Sequence, residues 1–173
     1  MKILSKIHFE QFHTYLFDAA GVVYTDKGIV SNAQEVIKQC QKRGNVFLVT
    51  NNSYMYPTFI SERLEKSNIT ISTDHIISSG AVKYDKDITS LITNKVVYLL
   101  GEDTSKPYFI EAGCKKITKD LNEADIIMLA AFLQTYSDKL LDDIIDHLKL
   151  NPKKPIVCCN PDRYVVGKTG LHP

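Results

Sequence analysis

Short apolar runs alternate along this chain with segments whose apolar positions recur every three or four residues. The runs predict strands: Tyr15-Leu16-Phe17 leading into Asp18, NVFLVT at 45–50, HIIS at 75–78, KVVYLLG at 95–101, ADIIMLAAF at 124–132 and PIVCCN at 155–160. The periodic segments predict helices. In SNAQEVIKQCQKRG, Ala33, Val36, Ile37 and Cys40 share one helix face, Ser31 and Gln34 have capping-box spacing, and Gly44 reads as the stop. Pro57 suits the first turn of a helix carrying Phe59, Ile60 and Leu64. A helix is expected from about Gly80 to Ile92, and a short one around Tyr108 to Ala112. Leu140, Leu141, Ile144, Ile145 and Leu148 predict a strongly amphipathic helix, capped by Thr135 or Ser137 and ended by Pro152.

Strands alternating with helices, and apolar along most of their length, predict an α/β fold with a parallel sheet covered by helices. In such sheets the carboxyl ends of the strands open into one crevice. Asp18 and Thr50-Asn51-Asn52 lie at two such ends, which predicts an acid, a hydroxyl and two amides in one place. The strand–helix rhythm restarts after a polar break near residues 92–95, so a junction is expected there, dividing 1–92 from 93–173.

Composition narrows the function classes. The net charge is +1 and the basic residues are scattered, so nothing suggests a nucleic-acid partner or a membrane surface. No window is apolar and long enough to span a bilayer, and the first residues carry no signal-peptide pattern. The cysteines, Cys40, Cys114, Cys158 and Cys159, fit no zinc spacing and are expected as reduced thiols packed in a cytoplasmic protein.

A carboxylate at a strand tip can hold a divalent cation, act as a nucleophile, or cap the following turn. Backbone N–H groups after the strand and a threonine hydroxyl at the next tip suit phosphate oxygens. An acid beside a phosphate needs a cation, and Mg²⁺ takes one or two carboxylates plus the phosphate itself. The combination points to phosphoryl transfer through an aspartyl-phosphate. FDAAGVVY resembles the first motif of the haloacid dehalogenase superfamily, and VFLVTNNS its second, in the class IIA phosphatase branch. HIISSGAV, KVVYLLGE and CCNPDRYVVGKTG follow in the order of that branch, the last two resembling parts of its large α/β cap.

The resemblance implies a Rossmann-like core, of which residues 1–92 are the first part and 93–173 an incomplete cap. Asp18 would be nucleophile and metal ligand, the Ala20 carbonyl would face Mg²⁺, and Thr50 and Asn51 would bind the phosphoryl group. The substrate would be a small phosphorylated metabolite. Asp162 could set specificity in the cap or form the turn of Asn-Pro-Asp.

The chain also departs from the pattern. The branch usually has a second aspartate, the general acid and base, where this sequence has Ala20. Asp26 is a weak substitute. The family's lysine and later acidic motif have no counterpart up to Pro173; Lys168 follows the Asn-Pro-Asp segment too closely to serve. The resemblance thus implies an impaired or inactive phosphatase, truncated within the cap. The alternative is a non-catalytic phosphate-binding or interaction module whose exposed sheet edge could pair with a second copy.

Other polar residues have plainer expectations. His13 and His75 are read as surface or packing residues. Asp138, Asp142, Asp143 and Asp146 form a solvated helix face. Tyr54 and Tyr56 could line a substrate entrance or pack beneath the next helix.

Overall fold

The computed structural model describes residues 11–130 and 137–160, and the backbone of 165–167 and 170–172. Contacts group the chain into two compact units, Met1–Thr50 with Pro57–Ser78, and Asn51–Tyr56 with Ser79–Pro173. The expected junction near 92–95 falls inside the second unit by this grouping, because Ile92 is fully buried in a cluster with Val97, Leu99 and Phe109.

The first unit is built on a parallel sheet of order β1-β4-β5, with β1 at Thr14–Asp18, β4 at Asn45–Thr50 and β5 at Ile76–Ser78. Between β1 and β4 come the short antiparallel strands β2 (Tyr24–Thr25) and β3 (Gly28–Ile29) and helix α1 (Ala33–Gln41). Helix α2 (Pro57–Glu65) precedes β5. The β2–β3 pair lies where the sequence reading saw only a turn. Strands this short carry no periodicity to detect.

Successive strand residues alternate between faces. Tyr15, Val46, Leu48 and Ile76 are buried on one face, and Ile37 and Cys40 of α1 and Ile60 and Leu64 of α2 are buried too. α1 packs against β4, and α2 against β5. The opposite face carries Leu16, Val49 and Ile77, all exposed, and Phe47, which stacks on the His75 ring at 4.3 Å.

The expected capping box does not form. Asn32, not Ser31, is the N-cap, in a left-handed conformation (φ 66°) with no side-chain cap bond. The Gln34 amide instead reaches across to donate to the Asn68 carbonyl.

The second unit holds a parallel sheet of order β7-β6-β8-β9, with β6 at Val96–Gly101, β7 at Lys116–Thr118, β8 at Ile126–Ala130 and β9 at Ile156–Cys158. Helices α3 (Lys86–Ile92), α4 (Lys106–Glu111) and α5 (Asp138–Leu150) complete it, with a hairpin of β10 (Val165–Gly167) and β11 (Gly170–His172). Both faces of its sheet are covered. Val97, Leu99, Ile126 and Met128 meet Tyr108 and Phe109 of α4, and Tyr98, Leu100 and Ile127 meet Ile144 of α5. The Ser137 hydroxyl caps α5 by accepting from the Leu140 N–H.

The expected helix from Gly80 begins later. A single 3₁₀ turn covers Val82–Tyr84, and Asp85 then caps α3 by accepting from the N–H groups of Asp87 and Ile88 at 3.0 Å each. An aspartate that satisfies two orphan N–H groups fixes a helix start more firmly than apolar spacing does. β7 escaped the sequence reading, because Lys115-Lys116 breaks its apolar pattern.

Candidate active site

Asp18 ends β1 and is exposed. Ala19, directly behind it, is fully buried and donates its N–H to the Val49 carbonyl (3.2 Å), so the ladder runs one residue past the carboxylate. The chain then turns sharply. The Ala19 carbonyl accepts from the N–H groups of Val23 (2.9 Å) and Tyr24 (3.0 Å), and the Gly21 N–H donates to the Tyr24 carbonyl (2.7 Å). Gly21 sits at φ 84°, a backbone region that glycine enters without strain. Within this turn the Ala20 backbone, two residues after Asp18, bridges to Tyr24. The hairpin beyond it is pinned by Arg63, which lies 4.5 Å over the Tyr24 ring and donates to the Thr25 carbonyl (2.9 Å).

Thr50 ends β4. Asp18 is in register with Val49, so Thr50 lies one residue further along the neighbouring strand, at the same end of the sheet. Alternation puts Thr50 on the helix-covered face, where it is 4% exposed, and Asp18 on the open face. Thr50 is in register with Ser78, the last residue of β5, which is also buried. Three adjacent strands therefore end in Asp18, Thr50 and Ser78. Ser78 was not among the residues singled out from sequence, though the Ser78-Ser79 pair at a strand end is the signal that marks it.

Asn51 and Asn52 group with the second unit. The Asn52 side chain accepts from the N–H groups of Tyr54 (3.2 Å) and Met55 (3.0 Å), and so acts as a turn former. The Asn51 carbonyl accepts from the Ser79 hydroxyl (2.9 Å). Tyr56 packs edge-on against Tyr108 with 5.0 Å between ring centres, and its hydroxyl donates to Glu111, consistent with the packing role. Burial, and then the Glu111 carboxylate, push the Tyr56 phenol up.

Asp26 is exposed in the β2–β3 turn. Asp138, Asp142, Asp143 and Asp146 are all exposed on α5, and Asp146 pairs with Lys149 at 2.7 Å. Asp162 and Lys168 lie outside the described residues. No group of three or more His, Cys, Asp or Glu side chains is gathered among the described residues. At the tip of β1 the described residues present one carboxylate, Asp18, followed two positions later by the Ala20 backbone. That suits an ion which also coordinates water and a substrate phosphate.

The cysteines are all unpaired, and Cys158 is exposed rather than packed. Among the described residues, no helix is long and apolar enough to cross a membrane.

A strand-end aspartate, a tight glycine turn and a buried hydroxyl on the next parallel strand sit on a Rossmann-like α/β core. The family described as haloacid dehalogenase-like hydrolase matches residues 15–115, more than half of the chain, and the chain belongs to that family. An acid sugar phosphatase of Staphylococcus aureus is 26% identical over 165 residues, which cover 95% of this chain and 61% of the relative. Among solved structures, a 4-nitrophenylphosphatase from Thermotoga maritima superposes with a TM-score of 0.75 at 19% identity, over 95% of this chain and 61% of its own. A Mycobacterium tuberculosis glycerol phosphate phosphatase in complex with magnesium gives 0.75 at 18% identity, over 95% of this chain and 49% of its own. The chain thus spans about three-fifths of the curated relatives it matches.

Proposed function

We propose that Asp18 is the nucleophile of a Mg²⁺-dependent phosphomonoester hydrolase acting on a small phosphorylated metabolite. The observation that carries this reading is the exposed Asp18 carboxylate at the tip of β1, one strand away from the buried Thr50 hydroxyl at the same sheet end. In the reaction, a carboxylate oxygen of Asp18 bonds to phosphorus and the ester oxygen leaves. Water then attacks phosphorus, releasing phosphate and restoring the carboxylate. Thr50, with Asn51 after it, orients the phosphoryl oxygens. Mg²⁺, when bound by Asp18 and the Ala20 carbonyl, supplies positive charge to the phosphoryl oxygens.

The chain on its own is impaired. Ala20 stands where the family's general acid would be and has no proton for the leaving oxygen, a contribution worth about 10² to 10⁴ in rate. The same observation favours the second reading, a module that binds phosphate without turning it over. Four unpaired thiols support a reducing, cytoplasmic setting.

Fluoride NMR of a beryllium trifluoride adduct tests the nucleophile. This phosphoryl mimic should bind in the presence of Mg²⁺, and the adduct should be lost in Asp18→Asn and weakened in Thr50→Val. An adduct that survives Asp18→Asn, or none at all, would overturn the assignment. Turnover of 4-nitrophenyl phosphate separates the two readings. Release that is Mg²⁺-dependent and lost in Asp18→Asn supports the hydrolase; an adduct without release supports the binding module.

A further inference from the structure

Basic residues scattered along the chain converge in the second unit. A groove of about 380 Å³ lies between α4 and β7, and its lining includes Lys106, Lys115, Lys116 and Lys119 but no acid. The local pattern explains the convergence. Lys106 and Ile110 are four apart on α4 and so share a helix face. Side chains along a strand alternate, which sets Lys115, Ile117 and Lys119 opposite to Lys116 and Thr118. Lys116 and Thr118 both bond to Glu123, at 2.5 and 2.7 Å. Ile117 packs instead against the cluster that holds Tyr108 and Phe109 of α4. Ile110, Ile117 and the half-buried Cys114 thus give the groove an apolar wall, and burial pushes the Cys114 thiol up, so it stays neutral.

The amines are not used up within the protein. Among the described residues Lys115 makes no ion pair. Lys106 pairs with Asp103 at 2.8 Å, but the Asp103 side chain is 82% exposed, and an exposed pair of this kind holds weakly. Lys119 donates one N–H of its ammonium to the Leu99 carbonyl at 2.9 Å and keeps the others. Like charges gathered in one groove repel, and an anion seated among them turns repulsion into attraction.

We propose that this groove binds a small organic anion, with a phosphate- or phosphonate-like head held by Lys106, Lys115 and Lys119 and an apolar body against Ile110 and Ile117. The volume falls at the lower end of small-molecule sites, roughly 300–1,000 Å³, and an apolar wall with a few charged groups is the usual make-up of such sites. No residue of the Asp18 and Thr50 site takes part, so the inference does not rest on the phosphatase reading.

Phenylphosphonate is the probe, because it has both head and body and no ester bond to hydrolyse. It is titrated into the nitrogen-15-labelled full chain at low salt without Mg²⁺. Expected are saturable shifts of the backbone amide signals of residues 114–119, with an affinity that falls as salt is added. Lys106→Gln/Lys115→Gln should weaken binding about tenfold or more, since two charged hydrogen bonds are lost. Lys115→Glu reverses one charge at an exposed position, leaves the Lys106–Asp103 pair intact, and should weaken binding at least as much. Ile110→Ser, at a residue already 62% exposed, should weaken phenylphosphonate and leave inorganic phosphate unchanged. The proposal is overturned if these amides do not shift, if Lys115→Glu binds as tightly as the parent, or if Ile110→Ser treats both probes as the parent does. A glutamate-rich peptide that binds here when phenylphosphonate does not would overturn it too, in favour of a surface for an acidic protein partner.

Discussion

Gly44 lies so close beneath the backbone of His13 that a β-carbon there would stand 2.1 Å from the His13 carbonyl oxygen. The same oxygen accepts the Asn45 N–H at 2.9 Å, the bond that starts the pairing of β4 with β1. A glycine after a helix suggests a left-handed stop, but Gly44 needs no left-handed backbone. It is required because two stretches of chain touch.

Gly44→Ala should therefore destabilise the first unit even though alanine is the better helix former. Pushing the His13 backbone away costs about 1–3 kcal/mol, as overpacking does elsewhere. Urea unfolding followed by circular dichroism would show a lower midpoint with an unchanged slope. A midpoint equal to the parent's would refute the close-approach account.

The cluster of Tyr56, Glu111 and Lys83 predicts a pH dependence in the second unit. Lys83 Nζ lies 2.8 Å from Glu111 Oε2, and the Tyr56 hydroxyl donates to Oε1. Burial works to raise the Glu111 carboxyl, but the Lys83 and Tyr56 bonds outweigh it and hold the group below its usual value. The hydrogen bond to Glu111 holds Lys83 above its own. A lowered acid contributes stability above its unfolded pKa, and that contribution fades as pH falls through the folded value. A raised lysine contributes below its unfolded pKa, and that contribution fades as pH rises past it. The Tm difference between the parent and Glu111→Gln should be largest between these limits, small in size as half-exposed pairs are, and should shrink at both ends. A difference that stays constant down to about pH 3, well below the ordinary glutamate range, would show that the ion pair is not its source.

Neighbouring cysteines should react very differently. Cys158 is exposed, and its thiol donates to the Asn160 carbonyl at 2.9 Å. Cys159 is 6% exposed, and burial pushes its thiol up to about 12. Maleimide labelling of the folded chain near neutral pH should modify Cys158 first, since thiolate and access together set reactivity. Cys158→Ser should remove the fast phase, leaving Cys159 unmodified until denaturant is added. Peptide mapping that finds Cys159 labelled early would contradict the buried placement.

Much of the architecture was legible because its signals are local. The apolar runs ending at Asp18, Thr50 and Ser78 became the three strands of one parallel sheet, and the leucine spacing of α5 became a helix with Ser137 as its cap. The misses are places where tertiary contact overrides local pattern. The Ser31–Gln34 spacing is right for a capping box, but Gln34 is taken by Asn68 from another element. Lys116 disguises β7, yet pairing with β6 makes it a strand. At the candidate site, Asp18 and Thr50 could be placed at one end of the sheet from sequence. That they point to opposite faces could not, because it depends on the one-residue offset between β1 and β4.

The bare face around Leu16 has a consequence for the life of the protein in a cell. Chaperones and proteases act on exposed apolar surface, and marginal species are triaged continuously. A copy whose face stays uncovered presents that signal in its native state, with no need to unfold first.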